Sequence, residues 1–232
     1  MSNEGRRVLV TGSSSGIGLA VARQLLDEGW QVLGFDIAAP ALAHARFAGA
    51  TLDLADGAAL TRALAGVGPL QAVVHAAGIL RPAPLGQLDA GQGEAMWRLH
   101  VQAATQLADA LLPAMARSGQ GRMVLIGSRV SRGIAGRSQY AATKAALASL
   151  ARSWAAEVVA QGVTVNVVSP AATQTGMLAD PSRQGTPPRL PPIGRLIQPE
   201  EVAALVAYLL SPAAAAITGQ EIQICGGTSL AP

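Results

Sequence analysis

The stretch that decides the fold runs Val8-Leu9-Val10-Thr11-Gly12-Ser13-Ser14-Ser15-Gly16-Ile17-Gly18. An apolar run followed by a glycine-rich turn and an Ala- and Leu-rich segment predicts a buried strand that leads into a helix. Glycines at such a turn let the backbone approach a pyrophosphate, whose charge is stabilised by free N–H groups at the helix N-terminus. We therefore expect this turn to bind a dinucleotide. The expected contacts are Gly12, Ser14, Ser15, Gly16, Ile17 and Gly18.

Outward from this turn, short apolar runs alternate with longer helical segments along the whole chain. The predicted strands are Val8–Val10, Gln31–Phe35, Ala50–Leu52, Leu70–His75, Met123–Ile126, Val163–Val168 and Ile222–Ile224. The predicted helices are Gly16–Glu28, Asp56–Ala65, Gln92–Arg117, Ser138–Gln161 and Pro199–Leu210. Alternation of this kind predicts an α/β doubly wound fold with a parallel sheet, as one domain over residues 1–232. The proline-rich segment at about 177–197 is expected to be a flap over the site.

Composition excludes several classes of protein. The chain has 232 residues, a net charge of +3 and one cysteine, Cys225, so neither an internal disulfide nor a cysteine zinc cluster is expected. No apolar signal segment or run of about 20 apolar residues indicates export or a membrane span. The basic residues are scattered without aromatic neighbours, which disfavours nucleic-acid binding. We expect a cytoplasmic protein without metal, membrane or nucleic-acid partners.

An acidic residue, Asp36, ends the second predicted strand. A carboxylate there can accept hydrogen bonds from both hydroxyls of an adenosine ribose and would repel a 2′-phosphate. Neither Ser15, Ile37 nor Ala38 offers a cation that could hold such a phosphate. The sequence therefore predicts NAD as the cofactor rather than NADP, although Asp36 could also simply cap a loop.

A tyrosine and a lysine lie four residues apart in Ser138-Gln139-Tyr140-Ala141-Ala142-Thr143-Lys144, which places them on one helix face. Free tyrosine has a pKa near 10, and a nearby ammonium favours its ionised form. Such a pair can exchange a proton with an alcohol oxygen near neutral pH. Ser128 ends a predicted strand at the sheet edge that faces a ligand crevice. Taken singly, each residue also has an ordinary interpretation as a packing, surface or capping residue.

Lys144 is the one lysine in the chain, since every other basic residue is arginine. Codon bias toward arginine accounts for the missing lysines. It leaves open why position 144 kept its lysine.

These motifs, in this order, resemble the classical short-chain dehydrogenase/reductase family over almost the whole chain. The resemblance implies a seven-stranded Rossmann-type fold and hydride transfer between a nicotinamide and a secondary alcohol, a ketone or a cyclic dihydrodiol. It implies Tyr140 as general acid or base, Lys144 as a ligand of the nicotinamide ribose, and Ser128 as a hydrogen-bond donor to the reacting oxygen. The further cofactor contacts that it implies are Asp53, Leu54, Ala76, Ala77, Gly78, Pro170, Thr173 and Thr175. A homotetramer or homodimer through the two long helices is also implied.

The chain departs from the family pattern at two histidines. His100 stands where the family has an asparagine that completes a proton relay, so it is expected to replace that asparagine, to contact substrate, or only to pack in the helix. His75 begins His-Ala-Ala-Gly where Asn-Asn-Ala-Gly is usual, which predicts the loss of a side-chain brace between strands.

Substrate identity is weakly indicated. Arg129, Arg132 and Arg137 lie between Ser128 and Tyr140, where one could bind a carboxylate, although a solvated face is the simpler interpretation. The segments Ala76–Arg81 and Thr173–Thr175 are similar to the branch that oxidises cyclic dihydrodiols such as dihydro-dihydroxybenzoate.

Two other functions share parts of this pattern. A non-catalytic NAD-sensing or scaffold protein would have lost the tyrosine or the lysine, and both are present. A sugar-nucleotide epimerase needs a larger C-terminal substrate domain than this length provides.

Overall fold

Seven parallel strands form one sheet at the centre of the computed structural model, which describes residues 5–179 and 189–230. The strands are β1 (Arg7–Thr11), β2 (Gln31–Asp36), β3 (Phe47–Thr51), β4 (Ala72–His75), β5 (Gly121–Ile126), β6 (Val163–Pro170) and β7 (Glu221–Ile224). Their order across the sheet is β3-β2-β1-β4-β5-β6-β7, and every neighbouring pair is parallel. The predicted doubly wound α/β fold is confirmed.

Helices cover both faces of this sheet. They are α1 (Gly16–Asp27), α2 (Gly57–Ala65), α3 (Ala90–Trp97), α4 (Ala103–Arg117), α5 (Ser138–Val158) and α6 (Pro199–Leu210). Successive residues of a strand point to opposite faces, and in β1 Val8 and Val10 belong to one buried cluster while Leu9 belongs to another. The first cluster includes residues of α1 and α6, and the second includes residues of α2, α4 and α5. Each face of the sheet therefore has its own apolar core.

The predicted helix Gln92–Arg117 is interrupted. Residues Arg98–Gln102 form a π-helical turn between α3 and α4. Apolar periodicity does not reveal this turn, because five residues with a wider turn are too few to change the pattern of the surrounding α-helices. Single π-turns inside helices often lie at functional sites, and this one carries His100.

The strand order reverses at β1, which lies between β2 and β4. At such a point the connections leave in opposite directions and open a crevice at the carboxyl ends of the strands, where ligands bind in open α/β sheets. The glycine-rich turn after β1 lies at this crevice.

The predicted flap is described only at its two ends. At its first end, Gly176–Ala179 form a 3₁₀ turn after β6. At its second end, Leu190 and Ile193 are exposed. Residues 180–188 of the predicted flap lie outside the described residues.

In the described part of the chain, no helix is both long and apolar enough to cross a bilayer. The same residues contain no group of side chains arranged to hold a metal ion.

Candidate active site

A cavity of about 890 Å³ opens at the carboxyl edge of the sheet. It brings together all predicted site residues except Ser14 and His100. The predicted residues that line it are Gly12, Ser15, Gly16, Ile17, Gly18, Asp36, Asp53, Leu54, Ala76, Ala77, Gly78, Ser128, Tyr140, Lys144, Pro170, Thr173 and Thr175. Its volume lies near the upper end of the range of about 300–1,000 Å³ for ligand pockets.

The turn at the start of α1 fits a pyrophosphate. Gly12 has a φ of +68°, and a Cβ there would lie 2.8 Å from the Ala77 nitrogen. A Cβ on Gly18 would lie 2.2 Å from the Gly12 oxygen, so the helix can pack against the turn only as glycine. Ser15 precedes α1 without a side-chain cap, which leaves the first N–H groups of a cavity-lining helix available to an anion.

Asp36 is held at the tip of β2 by two backbone amides. Its Oδ2 accepts from the Ser14 N–H and its Oδ1 from the Ala38 N–H, both at 2.9 Å. Each carboxylate oxygen has a second lone pair, so the carboxylate can still accept bonds from a ligand in the cavity that it lines. Ser14 itself does not line the cavity: its N–H is engaged by Asp36, so the prediction of a direct contact from Ser14 is corrected.

Three predicted catalytic side chains, Ser128, Tyr140 and Lys144, line the same cavity as the glycine-rich turn and Asp36. Tyr140, Lys144 and Ser128 are 8%, 5% and 7% exposed. The Lys144 Nζ lies 5.8 Å from the centroid of the Tyr140 ring. Ser128 begins a 3₁₀ turn and its Oγ accepts from the Val130 N–H at 3.2 Å, which leaves the hydroxyl hydrogen free to be donated.

The backbone of β5 fixes the position of Lys144. Its Nζ donates to the Ile126 carbonyl at 2.8 Å, so the remaining hydrogens are available to the cavity. Burial lowers the pKa of Lys144 to about 7. Desolvation disfavours a charged ammonium, and no described carboxylate forms an ion pair with it. Near neutral pH this lysine is thus poised between its two protonation states.

His75 replaces the brace whose loss was predicted. The Thr11 hydroxyl accepts from the amides of Ala76 and Ala77, so it donates its own hydrogen to His75 Nδ1 at 2.9 Å. The Nε2–H of His75 then donates to the Leu99 carbonyl at 3.1 Å. The ring therefore connects β1 to the π-helical turn, and the prediction that the brace is lost is wrong. Burial is the main cause that lowers the pKa of His75 to about 4, which keeps it neutral.

His100 lies behind the cavity wall and not in it. The residue is fully buried, and its Nε2 accepts from the Ile79 N–H at 3.0 Å. Its Nδ1–H donates to the Thr143 hydroxyl at 2.8 Å, and this hydroxyl donates to the Tyr140 carbonyl. The prediction that His100 contacts substrate is therefore wrong, because both ring nitrogens are used to hold the Gly78–Ile79 loop against α5.

Comparison with known proteins decides the family. A family model described as enoyl-(acyl carrier protein) reductase matches residues 12–229. A solved structure described as a short chain dehydrogenase/reductase family protein has a TM-score of 0.92 at 33% identity, over 100% of both chains. The chain belongs to the short-chain dehydrogenase/reductase family.

Curated relatives of this short-chain dehydrogenase/reductase carry more than one activity. The 3-oxoacyl-(acyl-carrier-protein) reductase FabG of Salmonella typhimurium is 34% identical over 98% of both chains. The 2,3-dihydro-2,3-dihydroxybenzoate dehydrogenase of Escherichia coli K12 is 34% identical over 99% of both chains. The expected similarity to the dihydrodiol branch is present, but it is no greater than the similarity to the reductase.

Family membership makes the protein an oxidoreductase that interconverts CH–OH and C=O groups with a nicotinamide cofactor. The relatives are named for reductase and dehydrogenase activities, and the tyrosine and lysine line one cavity. The alternative of a non-catalytic NAD-sensing or scaffold protein finds no support.

Sequence reasoning missed several residues of this dehydrogenase/reductase site. The Ile126 carbonyl, which holds Lys144, is a backbone group and gives no sequence signal. Thr228 lines the cavity from the segment after β7, three residues beyond Cys225, and was not among the predicted site residues. Thr143 was visible within the Tyr-to-Lys segment, but its link to His100 depends on how two helices pack.

We expect a His100→Asn variant to keep the midpoints of the pH profile of kcat/KM. Burial lowers the pKa of His100 well below 6.5, so the ring is neutral near pH 7 and is not expected to create a limb of the profile there. An asparagine oxygen can take over as acceptor for the Ile79 N–H.

In a His100→Ala variant that amide loses its partner, and we expect the free energy of unfolding to fall by about 2–4 kcal/mol. Kinetics from pH 5.5 to 9 test the prediction for His100→Asn, and denaturant titration tests the prediction for His100→Ala. A shifted limb of the pH profile in His100→Asn would indicate that His100 takes part in a proton relay.

Proposed function

We propose that this enzyme transfers a hydride between NAD(H) and a secondary alcohol, ketone or cyclic dihydrodiol, with Tyr140 as general acid or base. The observation that carries the proposal is that Ser128, Tyr140 and Lys144 line the same cavity as the uncapped start of α1. The nicotinamide, when bound, supplies or accepts the hydride. The protein's part is to orient the substrate and to move the proton.

In the oxidation direction, the Tyr140 oxygen takes the proton of the substrate hydroxyl, and in reduction it returns a proton to the carbonyl oxygen. Ser128 donates a hydrogen bond to that oxygen, since its own lone pair already accepts from Val130. Lys144 in its ammonium form favours the phenolate of Tyr140 and binds the ribose hydroxyls of the cofactor. We expect NADH to form or be consumed with members of a panel of secondary alcohols, dihydrodiols and ketones, and no turnover of any member would refute the proposal.

The proposed preference for NAD(H) over NADP(H) is supported by Asp36. Its carboxylate lines the cavity, pinned by two amides, at the position expected for the adenosine ribose. Four cations line the described part of the cavity: Arg129, Arg137, Lys144 and Arg189. None of them lies in the loops that directly follow β1, β2 and β3. A 2′-phosphate there would meet a like charge without a compensating cation.

We expect kcat/KM for NADH to exceed that for NADPH by at least about tenfold, which corresponds to about 1.4 kcal/mol. Removing the charge in Asp36→Ala should lower this ratio. Asp27→Ala, at the exposed end of α1, serves as the matched control and should leave the ratio unchanged. A native preference for NADPH, or a ratio in Asp36→Ala that is unchanged from the wild type, would contradict the prediction.

A cytoplasmic location, one domain over residues 1–232, and a homotetramer or homodimer through α4 and α5 stay predictions. The Ala-rich sequences of these helices would allow close packing between copies. Light scattering of the purified enzyme measures the oligomeric state.

A further inference from the structure

Charge is divided within the cavity. Of its described acidic residues, Asp36 ends β2 and Asp53 lies after β3, at the part assigned to the adenosine. Two arginines instead flank the catalytic side chains: Arg129 directly follows Ser128, and Arg137 precedes α5, which carries Tyr140. Apolar residues, among them Leu80, Val130, Ile134 and Met177, line the same cavity.

Two of the arginines that the sequence groups together, Arg129 and Arg132, are the first and last residues of a 3₁₀ turn and differ in exposure. Arg129 is half-buried and lines the cavity, whereas Arg132 is exposed and does not line it. These two side chains therefore lie in different surroundings, although residues three apart in a 3₁₀ turn start from the same side of it. The interpretation of the group as a solvated face therefore holds for Arg132 and fails for Arg129.

Within residues 5–179 and 189–230, the Arg129 guanidinium makes no hydrogen bond or ion pair. A guanidinium that is half removed from water without an anionic partner loses hydration, and a carboxylate would restore the lost interactions through two parallel hydrogen bonds. Because Arg129 is adjacent to Ser128, such a carboxylate would lie within the length of one small molecule from the reacting oxygen.

We propose that the substrate is a small hydroxy or oxo acid, and that Arg129 binds its carboxylate while the alcohol or ketone oxygen faces Ser128 and Tyr140. This inference rests on the proposed oxidoreductase function. In the reductive direction the ketone gains a hydride from NADH and a proton through Tyr140, and yields the hydroxy acid and NAD⁺. The carboxylate is unchanged by the reaction.

The test uses pairs of ketones of nearly the same shape, one with a carboxylate and one with a neutral carboxamide, such as 3-oxocyclohexanecarboxylate and its carboxamide, together with aliphatic and aryl pairs. We expect the carboxylate member of the best pair to have at least a tenfold higher kcat/KM. Arg129→Gln should lower kcat/KM for the carboxylate by about 10- to 100-fold more than for the carboxamide, as expected for a lost hydrogen bond to a charged group. Arg132→Gln, in the same turn but outside the cavity, is the matched control and should leave the ratio unchanged.

The outcomes distinguish a failure of the carboxylate site from a failure of the oxidoreductase function. Turnover of carboxamides at least as fast as carboxylates, or equal losses for both members in Arg129→Gln, would overturn the carboxylate site and leave the oxidoreductase function standing. Preference for carboxylates that survives in Arg129→Gln would also overturn the assignment to Arg129. Turnover of no ketone in any pair would overturn the carboxylate site if a neutral alcohol or dihydrodiol is turned over, and would refute the proposed function itself if none is.

Discussion

A Tyr140→Phe variant is expected to lose turnover by about 10²- to 10⁴-fold, the range typical of a removed general acid or base. The substitution removes one hydroxyl and leaves the ring. That ring is buried, packs in a cluster with Leu80, Met96 and Val130, and makes an edge contact with His100 at 5.6 Å between centroids. The fold and the cofactor-binding turn should therefore be retained, so the loss is expected in kcat and not in the affinity for NADH.

The chain offers a matched control for this variant, since it contains one other tyrosine. Tyr208 lies on α6, is 47% exposed and does not line the cavity. Tyr208→Phe should be as active as the wild type. Steady-state kinetics measure turnover in both variants, and fluorescence titration measures NADH binding. Substantial residual activity in Tyr140→Phe at unchanged pH would refute the assignment of the proton transfer to Tyr140.

Much of the fold could be predicted because strand and helix periods are local properties of the sequence. The run Val8–Val10 lies inside β1, and the helix Pro199–Leu210 has the predicted bounds. The weaker strand β3 runs over Phe47–Thr51 where Ala50–Leu52 was predicted. Its Gly- and Ala-rich sequence carries little alternation, so the pairing with β2 decides its bounds.

The site could be predicted where a residue's position follows from topology. Ser128 after β5, Asp36 at the end of β2 and the turn after β1 all lie at the carboxyl edge of a parallel sheet, so their convergence follows from the strand order. The partners of buried polar groups could not be predicted in this way. That His75 bonds to Thr11 and His100 to Thr143 depends on side chains 64 and 43 residues apart along the chain.

Lys144→Arg, which conserves charge, is expected to lower kcat by at least about 100-fold. Lys144 is 5% exposed, and its Nζ lies only 3.6 Å from where a Cβ on Gly78 would stand. A planar guanidinium is larger than an ammonium and needs a wider site to direct its donors. It cannot occupy this space and still donate to the Ile126 carbonyl as Nζ does at 2.8 Å, so the cavity wall or the Tyr140 side chain has to move.

A second variant distinguishes the effect of a larger side chain at position 144 from the effect of losing its positive charge. Lys144→Met keeps a slender side chain and removes the ammonium, so it should fold as the wild type does and also lose turnover. Arg23→Lys, at an exposed position of α1, exchanges the same two residue types in the opposite direction and should have no effect. Near-normal activity in Lys144→Arg would mean that a cation of either shape suffices, and the retention of one lysine in this chain would then have no chemical explanation.

The pH dependence of cofactor binding gives Lys144→Arg a signature that simple misfolding would not produce. Burial lowers the pKa of Lys144 to about 7 in the free protein, and the proposed contact with the ribose hydroxyls favours the protonated form. In the wild type, the Kd for NADH should therefore rise as the pH increases through about 7, because binding then requires proton uptake. A guanidinium stays charged throughout this range, so the rise should be absent in Lys144→Arg. Fluorescence titrations of both proteins between pH 6 and 9 measure it, and a parallel rise in the variant would assign the pH dependence to a group other than Lys144.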